Sequence, residues 1–264
     1  MIRLSDINVI FGKGTALETH ALKNVNLEVP TGQFLTIIGS NGAGKSTSLN
    51  VVAGTAPVES GKIEIDHNDI TSLRTHQRAK LISRVFQDPK MGTCEELTIM
   101  ENIAIARART NTRGFKMAID DELRTFSHNF LGNLGLGLES RLGDKVGLLS
   151  GGQRQALSLF MASMSDTRVL LLDEHTAALD PKTAEFVMDL SRKVVAEKKL
   201  TTIMVTHSMQ QALENGDRTV MFHGGKIIFD VSGAERENMT VVDLLELFRR
   251  DTGEILSEDS LLLD

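Results

Sequence analysis

One segment constrains this chain more than any other. Phe34 to Ile38 is a short apolar run that leads straight into Gly39-Ser40-Asn41-Gly42-Ala43-Gly44-Lys45-Ser46-Thr47, and a helical pattern opens behind it. Glycines let a backbone bend until several N–H groups converge, and a helix N-terminus adds the positive end of its dipole. A strand, this loop and a helix in that order make a cradle for phosphate oxygens. At ordinary glycine frequency, the glycines, Lys and Ser at these fixed places arise by chance roughly once in 10⁵ start positions. ATP and Mg²⁺ are the expected ligands. Lys45 would reach the β and γ phosphates, the Ser46 hydroxyl would ligate the metal, and residues 40–47 would wrap the nucleotide.

The surrounding pattern tells what kind of sheet carries the loop. Val169 to Leu172 and Thr201 to Thr206 are short, dense in apolar or β-branched residues and bounded by turn residues. Parallel strands buried on both faces read this way. Between them Asp180 and Pro181 form a helix start, and Ala184, Val187, Met188, Val194 and Val195 share one side at helical spacing. Residues 2–10 and 22–29 alternate and read as antiparallel strands. Val220 to Phe222 and Lys226 to Phe229, joined by His223-Gly224-Gly225, read as a hairpin. Residues 94–148 show no convincing strand, and Leu97 to Arg109 and Asp120 to Leu131 look helical. The expected fold is α/β: a P-loop NTPase core with a mostly parallel sheet, an N-terminal antiparallel β layer and an inserted helical subdomain. In boundaries, residues 1–93 and 165–235 would form the core with its β layer, residues 94–164 the helical subdomain, and residues 236–264 a C-terminal extension, all within one domain.

Composition removes several classes. No stretch of the 264 residues approaches the roughly 18 consecutive apolar residues of a membrane span, and the N-terminus lacks the pattern of a signal peptide. The single Cys94 forms no internal disulfide and fits a reducing compartment. A net charge of −6 with no basic stripe argues against nucleic acid as a partner. The acidic end, Asp251 to Asp264, reads as a solvated tail.

A second chemical mark follows the run Val169-Leu170-Leu171-Leu172, which ends in Asp173-Glu174. Open α/β sheets bind ligands at the C-terminal tips of their strands. Neighbouring strand residues point opposite ways, so one carboxylate can face the magnesium shell and the next a water beyond the γ phosphate. Asp173 is therefore assigned to the metal, and Glu174 to the general base that orients the attacking water.

Leu149-Ser150-Gly151-Gly152-Gln153 narrows the class. Locally it is a Ser-x-x-Gln capping box ahead of an amphipathic helix, which accounts for Ser150 and Gln153 but leaves two bare glycines. The segment matches the signature sequence of ATP-binding-cassette (ABC) ATPases, and the chain resembles that family over residues 2–230. The resemblance implies a shared site. Ser150, Gly151, Gly152 and Gln153 of one copy would contact the γ phosphate held by the P-loop of a second copy, making a homodimer. It also implies roles for residues that are unremarkable singly. Gln87, in Val85-Phe86-Gln87-Asp88, resembles the Q-loop glutamine, a contact to magnesium and water. Ala178-Leu179-Asp180 resembles the D-loop, His207 the switch histidine beside the γ phosphate, and Phe11 stands where the family stacks an aromatic ring on adenine. By the same resemblance Glu174, His207, Gln87 and Lys45 are the catalytic residues, and Ser46, Gln87 and Asp173 surround the metal.

Two departures stand out. His175 occupies the place of the family's usual Pro, and Ala156 to Met161 replace an arginine-bearing run. The run Asp173 to Asp180 is similar to bacterial importer cassettes that accompany permeases of the branched-chain amino acid and sugar type. That resemblance implies a peripheral subunit on the cytoplasmic face of the membrane, integral membrane permease subunits as partners, and indirectly an extracytoplasmic substrate-binding protein. Aromatic amino acids are one conceivable cargo. The alternative is a cytosolic assembly ATPase with no membrane partner. Residues 88–149 are too few to hold the coiled coil of chromosome-organising relatives.

Overall fold

A computed structural model describes residues 1–109, 117–164 and 166–253. Two sheets stack in the core. The first is antiparallel, in the order β2-β1-β4-β5, built from β1 (Ile2–Phe11), β2 (Thr19–Val29), β4 (Ser60–Ile65) and β5 (Asn68–Asp69). The second has the order β10-β9-β3-β8-β7-β6, from β3 (Phe34–Gly39), β6 (Ile82–Val85), β7 (Val169–Asp173), β8 (Thr201–Val205), β9 (Arg218–His223) and β10 (Lys226–Ser232). Its strands run parallel except β10, which pairs antiparallel with β9 at the edge. The hairpin expected at 220–229 is thus part of the core sheet, because β9 lies directly beside β3.

Burial follows from this stacking. Every residue of β3 is buried, as befits a central strand covered on both faces. β1 alternates, with Ile2 and Leu4 inward, and then Ile7 and Val9. The change of parity occurs at a register shift where Asp6 takes a positive φ of 50°, so one bulge keeps both apolar pairs on the inner face.

Helices close the layers. α1 (Lys45–Ala53) follows β3 and packs between the two sheets. The short α2 (Thr75–Arg78) precedes β6. On the far face of the parallel sheet lie α3 (Ile99–Ala108), α4 (Asp121–Gly132), α5 (Gly151–Ser163) and α6 (Pro181–Lys198), sharing one apolar cluster around Phe160, Leu157, Leu170 and Leu172. α7 (Met209–Glu214) and α9 (Val241–Thr252) form a third cluster with β9 and β10, and the short α8 (Gly233–Glu237) connects β10 to α9. Among the described residues no helix is long and apolar enough to cross a membrane.

The expected C-terminal extension is in part a packed helix. Residues 241–252 form a helix started by a Thr240–Asp243 capping box, and its Leu244 and Phe248 are fully buried. Its apolar face at helical spacing was overshadowed by the acidic residues behind it. Of that acidic run, residues 254–264 lie outside the described residues.

Candidate functional site

The P-loop turns as its glycines require. A Cβ on Gly39 would lie 2.2 Å from Phe222 O, and one on Gly44, at φ 107°, would lie 2.8 Å from a Leu22 methyl and 2.9 Å from Ala21 O. Gly44 caps α1 without any side-chain hydrogen bond, so the helix presents its first N–H groups to a ligand. The Lys45 ammonium is buried and donates to Gly39 O at 2.7 Å and Ser40 O at 3.1 Å. Burial pushes its pKa down, while Glu174 and Asp173 partly offset this.

A cleft of about 510 Å³ is lined by Asn41, Gly42, Ala43, Gly44, Lys45, Ser46, Thr47, Gln87, Glu174 and His207. The fold thus brings together the loop after β3, the residue beyond β6, the tip of β7 and the tip of β8. Four strands separated in sequence deliver their ends to one side of the sheet, at the position where such sheets bind ligands. Asp173 ends β7 close by, and its carboxylate accepts from Arg84 Nη2 at 2.5 Å.

The acid pair is aimed differently from the expectation. Alternation along a strand does not separate the two carboxylates, because Glu174 has already left the strand. It adopts a left-handed backbone with φ 46°, and its N–H is held by Val205 O at 3.0 Å. A non-glycine residue there costs of order 1–2 kcal/mol, and such strain persists where the surroundings impose it, often at functional sites. The turn buries the Glu174 side chain and brings its Oε1 to 2.7 Å from His207 Nε2. His207 Nδ1 is buried without a hydrogen-bond partner among the described residues.

His175 does not line this cleft and is buried. Ser191 Oγ donates its proton to Val187 O at 2.8 Å, so His175 Nε2 is the donor in its 2.9 Å bond to Ser191 Oγ. Burial pushes its pKa down to about 4, leaving the ring neutral. Behind it lies a residue that sequence reasoning missed. Gln155 is fully buried and its Nε2 donates both to Phe86 O at 2.9 Å and to His175 O at 2.7 Å. One amide thus joins the signature helix α5 to the chain ahead of Gln87 and to the residue after Glu174. A polar residue on the apolar side of α5 was the available signal.

The remaining candidates do not line this cleft. Ser150 Oγ accepts from Gln153 N at 3.3 Å, and Gln153 answers by accepting from Ser150 N at 3.1 Å while donating to Leu136 O at 3.2 Å. The capping box therefore exists, and together with the bond to Leu136 it occupies both ends of the Gln153 amide. Gly152 also has a reason inside this chain: a Cβ there would lie 2.1 Å from Thr183 Cγ2 of α6. Ser150, Gly151 and Asp180 are exposed, and Asp180 Oδ1 caps α6 through Thr183 N at 3.1 Å. Phe11 is 40% exposed at the end of β1.

The donor set near Lys45 fits magnesium. The Ser46 hydroxyl, the Gln87 amide oxygen and the Asp173 carboxylate are all hard oxygen donors, the type this ion prefers, with places left for water and phosphate.

These observations agree with three comparisons. A family model described as ABC transporter matches residues 22–177. The chain is 42% identical to the tyrosine transport ATP-binding protein of Clostridioides difficile, over 94% of this chain and 98% of that protein. It is 34% identical to the probable branched-chain amino acid transport ATP-binding protein LivF of Archaeoglobus fulgidus, over 83% of this chain and 88% of that one. Among solved structures, a dimeric ATP-binding cassette in a post-hydrolysis state, bound to ADP and Pi, superposes with a TM-score of 0.76 at 29% identity, covering 88% of this chain and 98% of that one. The chain belongs to the ABC transporter family and is an ATP-binding, ATP-hydrolysing cassette.

Proposed function

We propose that this cassette powers the import of a small solute, with an amino acid as cargo and tyrosine as the first candidate. The single observation that carries an active ATPase reading is the meeting of Lys45, Ser46, Gln87, Glu174 and His207 around one cleft, with Glu174 and His207 in contact at 2.7 Å. The cargo reading rests on the 42% identical tyrosine transport protein.

In this mechanism Lys45 leaves the loop carbonyls and pairs with the β and γ phosphates. Ser46, Gln87 and Asp173 would hold magnesium, which when bound would neutralise developing phosphate charge. His207 donates from Nε2 to Glu174 Oε1 and steers the carboxylate, leaving Oε2 to accept a proton from the attacking water. The signature residues Ser150, Gly151 and Gly152, exposed or at a helix start and remote from their own cleft, are available to the nucleotide of a second copy. This supports a homodimer with shared sites.

Partner docking has a candidate surface. A groove of about 770 Å³ beside the Q-loop is lined by Met91, Cys94, Asn102, Ile105 and Met161 among others, and Met91 and Ile105 expose apolar surface. A groove of this kind suits a helix of a membrane permease, which supports the reading of a cassette working at the cytoplasmic face of the membrane with a substrate-binding protein on the other side.

The test is to tag the chain in its native host, crosslink gently and identify what copurifies from the membrane fraction. A polytopic permease supports transport, and loss of tyrosine uptake on deletion, restored by the wild type and not by Glu174→Gln, supports the cargo. Exclusively soluble partners would move the function to an assembly complex.

A further inference from the structure

Arg84 is a charge within the parallel strand β6, and its side chain touches every element that supplies a proposed metal ligand. It lies on β6, the strand that feeds Gln87. Its Nη1 donates to Asn50 Oδ1 at 2.7 Å, on the helix α1 that begins with Lys45 and Ser46. Its Nη2 donates to Asp173 Oδ2 at 2.5 Å, at the tip of β7. Its guanidinium stacks over the Phe86 ring at 4.8 Å, next to Gln87. In the sheet Arg84 pairs with Leu171, two residues before Asp173, so the side chain runs along the strand to reach the carboxylate. Both partners of the ion pair are mostly covered, at 12% and 13% exposure, and Arg84 Nε is buried without a partner. No other hydrogen bond to the Asp173 carboxylate forms among the described residues, so Oδ1 is left over.

We infer that Arg84 is a positioning residue for the magnesium carboxylate: it holds Asp173 by one oxygen, turns the other to the metal's water shell, and balances the acid's charge until the metal arrives. The inference rests on the reading of Asp173 as a metal acid. Arginine suits both tasks. Its planar fork holds two acceptors in fixed directions, and it keeps its charge at any working pH. The two tasks pull the metal in opposite directions. A fixed carboxylate favours productive placement, whereas a guanidinium on that carboxylate repels a divalent cation through a partly screened medium. Removing Arg84 should therefore separate affinity from turnover.

The experiment uses the full chain with a β,γ-imido ATP analogue and Mn²⁺ as the metal probe, read by electron paramagnetic resonance, beside Mg²⁺-dependent ATPase assays and thermal unfolding. In Arg84→Met, Mn²⁺ should bind the analogue complex about threefold to tenfold more tightly, because the opposing charge is gone. Its kcat should fall about tenfold at saturating Mg²⁺, because the carboxylate is no longer aimed. Arg84→Lys keeps the charge and loses the fork, so Mn²⁺ affinity should stay within about twofold while kcat falls. Asn50→Ala frees the other hand of the guanidinium and should behave like Arg84→Lys, which keeps the test open if Arg84→Met does not fold.

Lower thermal stability with metal affinity and kcat unchanged in folded Arg84→Met overturns the inference and makes the pair a structural tie. Weaker Mn²⁺ binding in that variant overturns it as well. Failure of the underlying reading looks different: Asp173→Asn in an otherwise wild-type chain would leave Mn²⁺ binding to the analogue complex untouched.

Discussion

At the scale of single residues, the cleft depends on side chains held away from their unconstrained states. The buried Lys45 ammonium is held by two carbonyls, which phosphate would replace on the proposed reading. Losing one preorganised charge-stabilising donor typically costs about 10²–10³ in rate, so Lys45→Ala should lose at least that in steady-state phosphate release. Near-normal turnover would overturn the site. His175 yields a pH prediction. Its folded pKa, about 4, lies below the ordinary value of 6.5, so the unfolded chain binds more protons between those pH values. The stability from keeping this ring neutral is fully present above about pH 6.5 and is lost as pH falls towards about 4, amounting to about 3 kcal/mol. His175→Gln retains a donor for Ser191 and removes the titration. The gap in unfolding free energy between wild type and this variant should shift by that order between pH 7.5 and pH 4.5, in favour of the variant at low pH. A constant gap would mean the ring does not titrate in this range.

At the scale of elements, α5 serves two masters at its first turn. The bare backbone of Gly152 lets α6 approach, since Thr183 Cγ2 occupies the room a Cβ would need, and on the proposed shared-site reading it would also leave N–H groups open to a partner's phosphate. Gly152→Ala should therefore cost about 1–3 kcal/mol by overpacking, measured by denaturant unfolding. Adding Thr183→Ser removes the clashing methyl and should recover most of that stability. If ATPase activity stays low in the stable double variant, the glycine acts on the partner's nucleotide as well. If activity returns with stability, packing between α5 and α6 was its whole purpose. Gln155 extends the theme, since its two donated bonds tie α5 to Phe86 and to His175.

At the scale of the molecule, the P-loop and signature of one chain do not share a cleft. Lys45, Glu174 and His207 line it, while Ser150 and Gly151 are exposed elsewhere. Two copies facing each other would complete two sites. Glu174→Gln should bind ATP without turnover and accumulate as an ATP-bound dimer in size-exclusion chromatography. A variant that remains monomeric with ATP and Mg²⁺ would count against shared sites.

Read from sequence alone, the chain already determined the phosphate loop, the buried strands on either side of it, the α6 cap and the capping box before α5. These are local devices: a turn, a run of apolar residues or a cap acts within a few positions, so its chemistry is legible where it is written. The tertiary structure decided the rest. It turned Glu174 by a left-handed backbone instead of strand alternation, made β9 the neighbour of β3, folded 241–252 onto the core, and gave Gly152 a neighbour 31 positions away. It also paired Arg84 with Asp173 across 89 positions and set Gln155 between Phe86 and His175. Such pairs depend on which strands and helices become neighbours, and in a parallel sheet wound from distant segments nothing local records the partner.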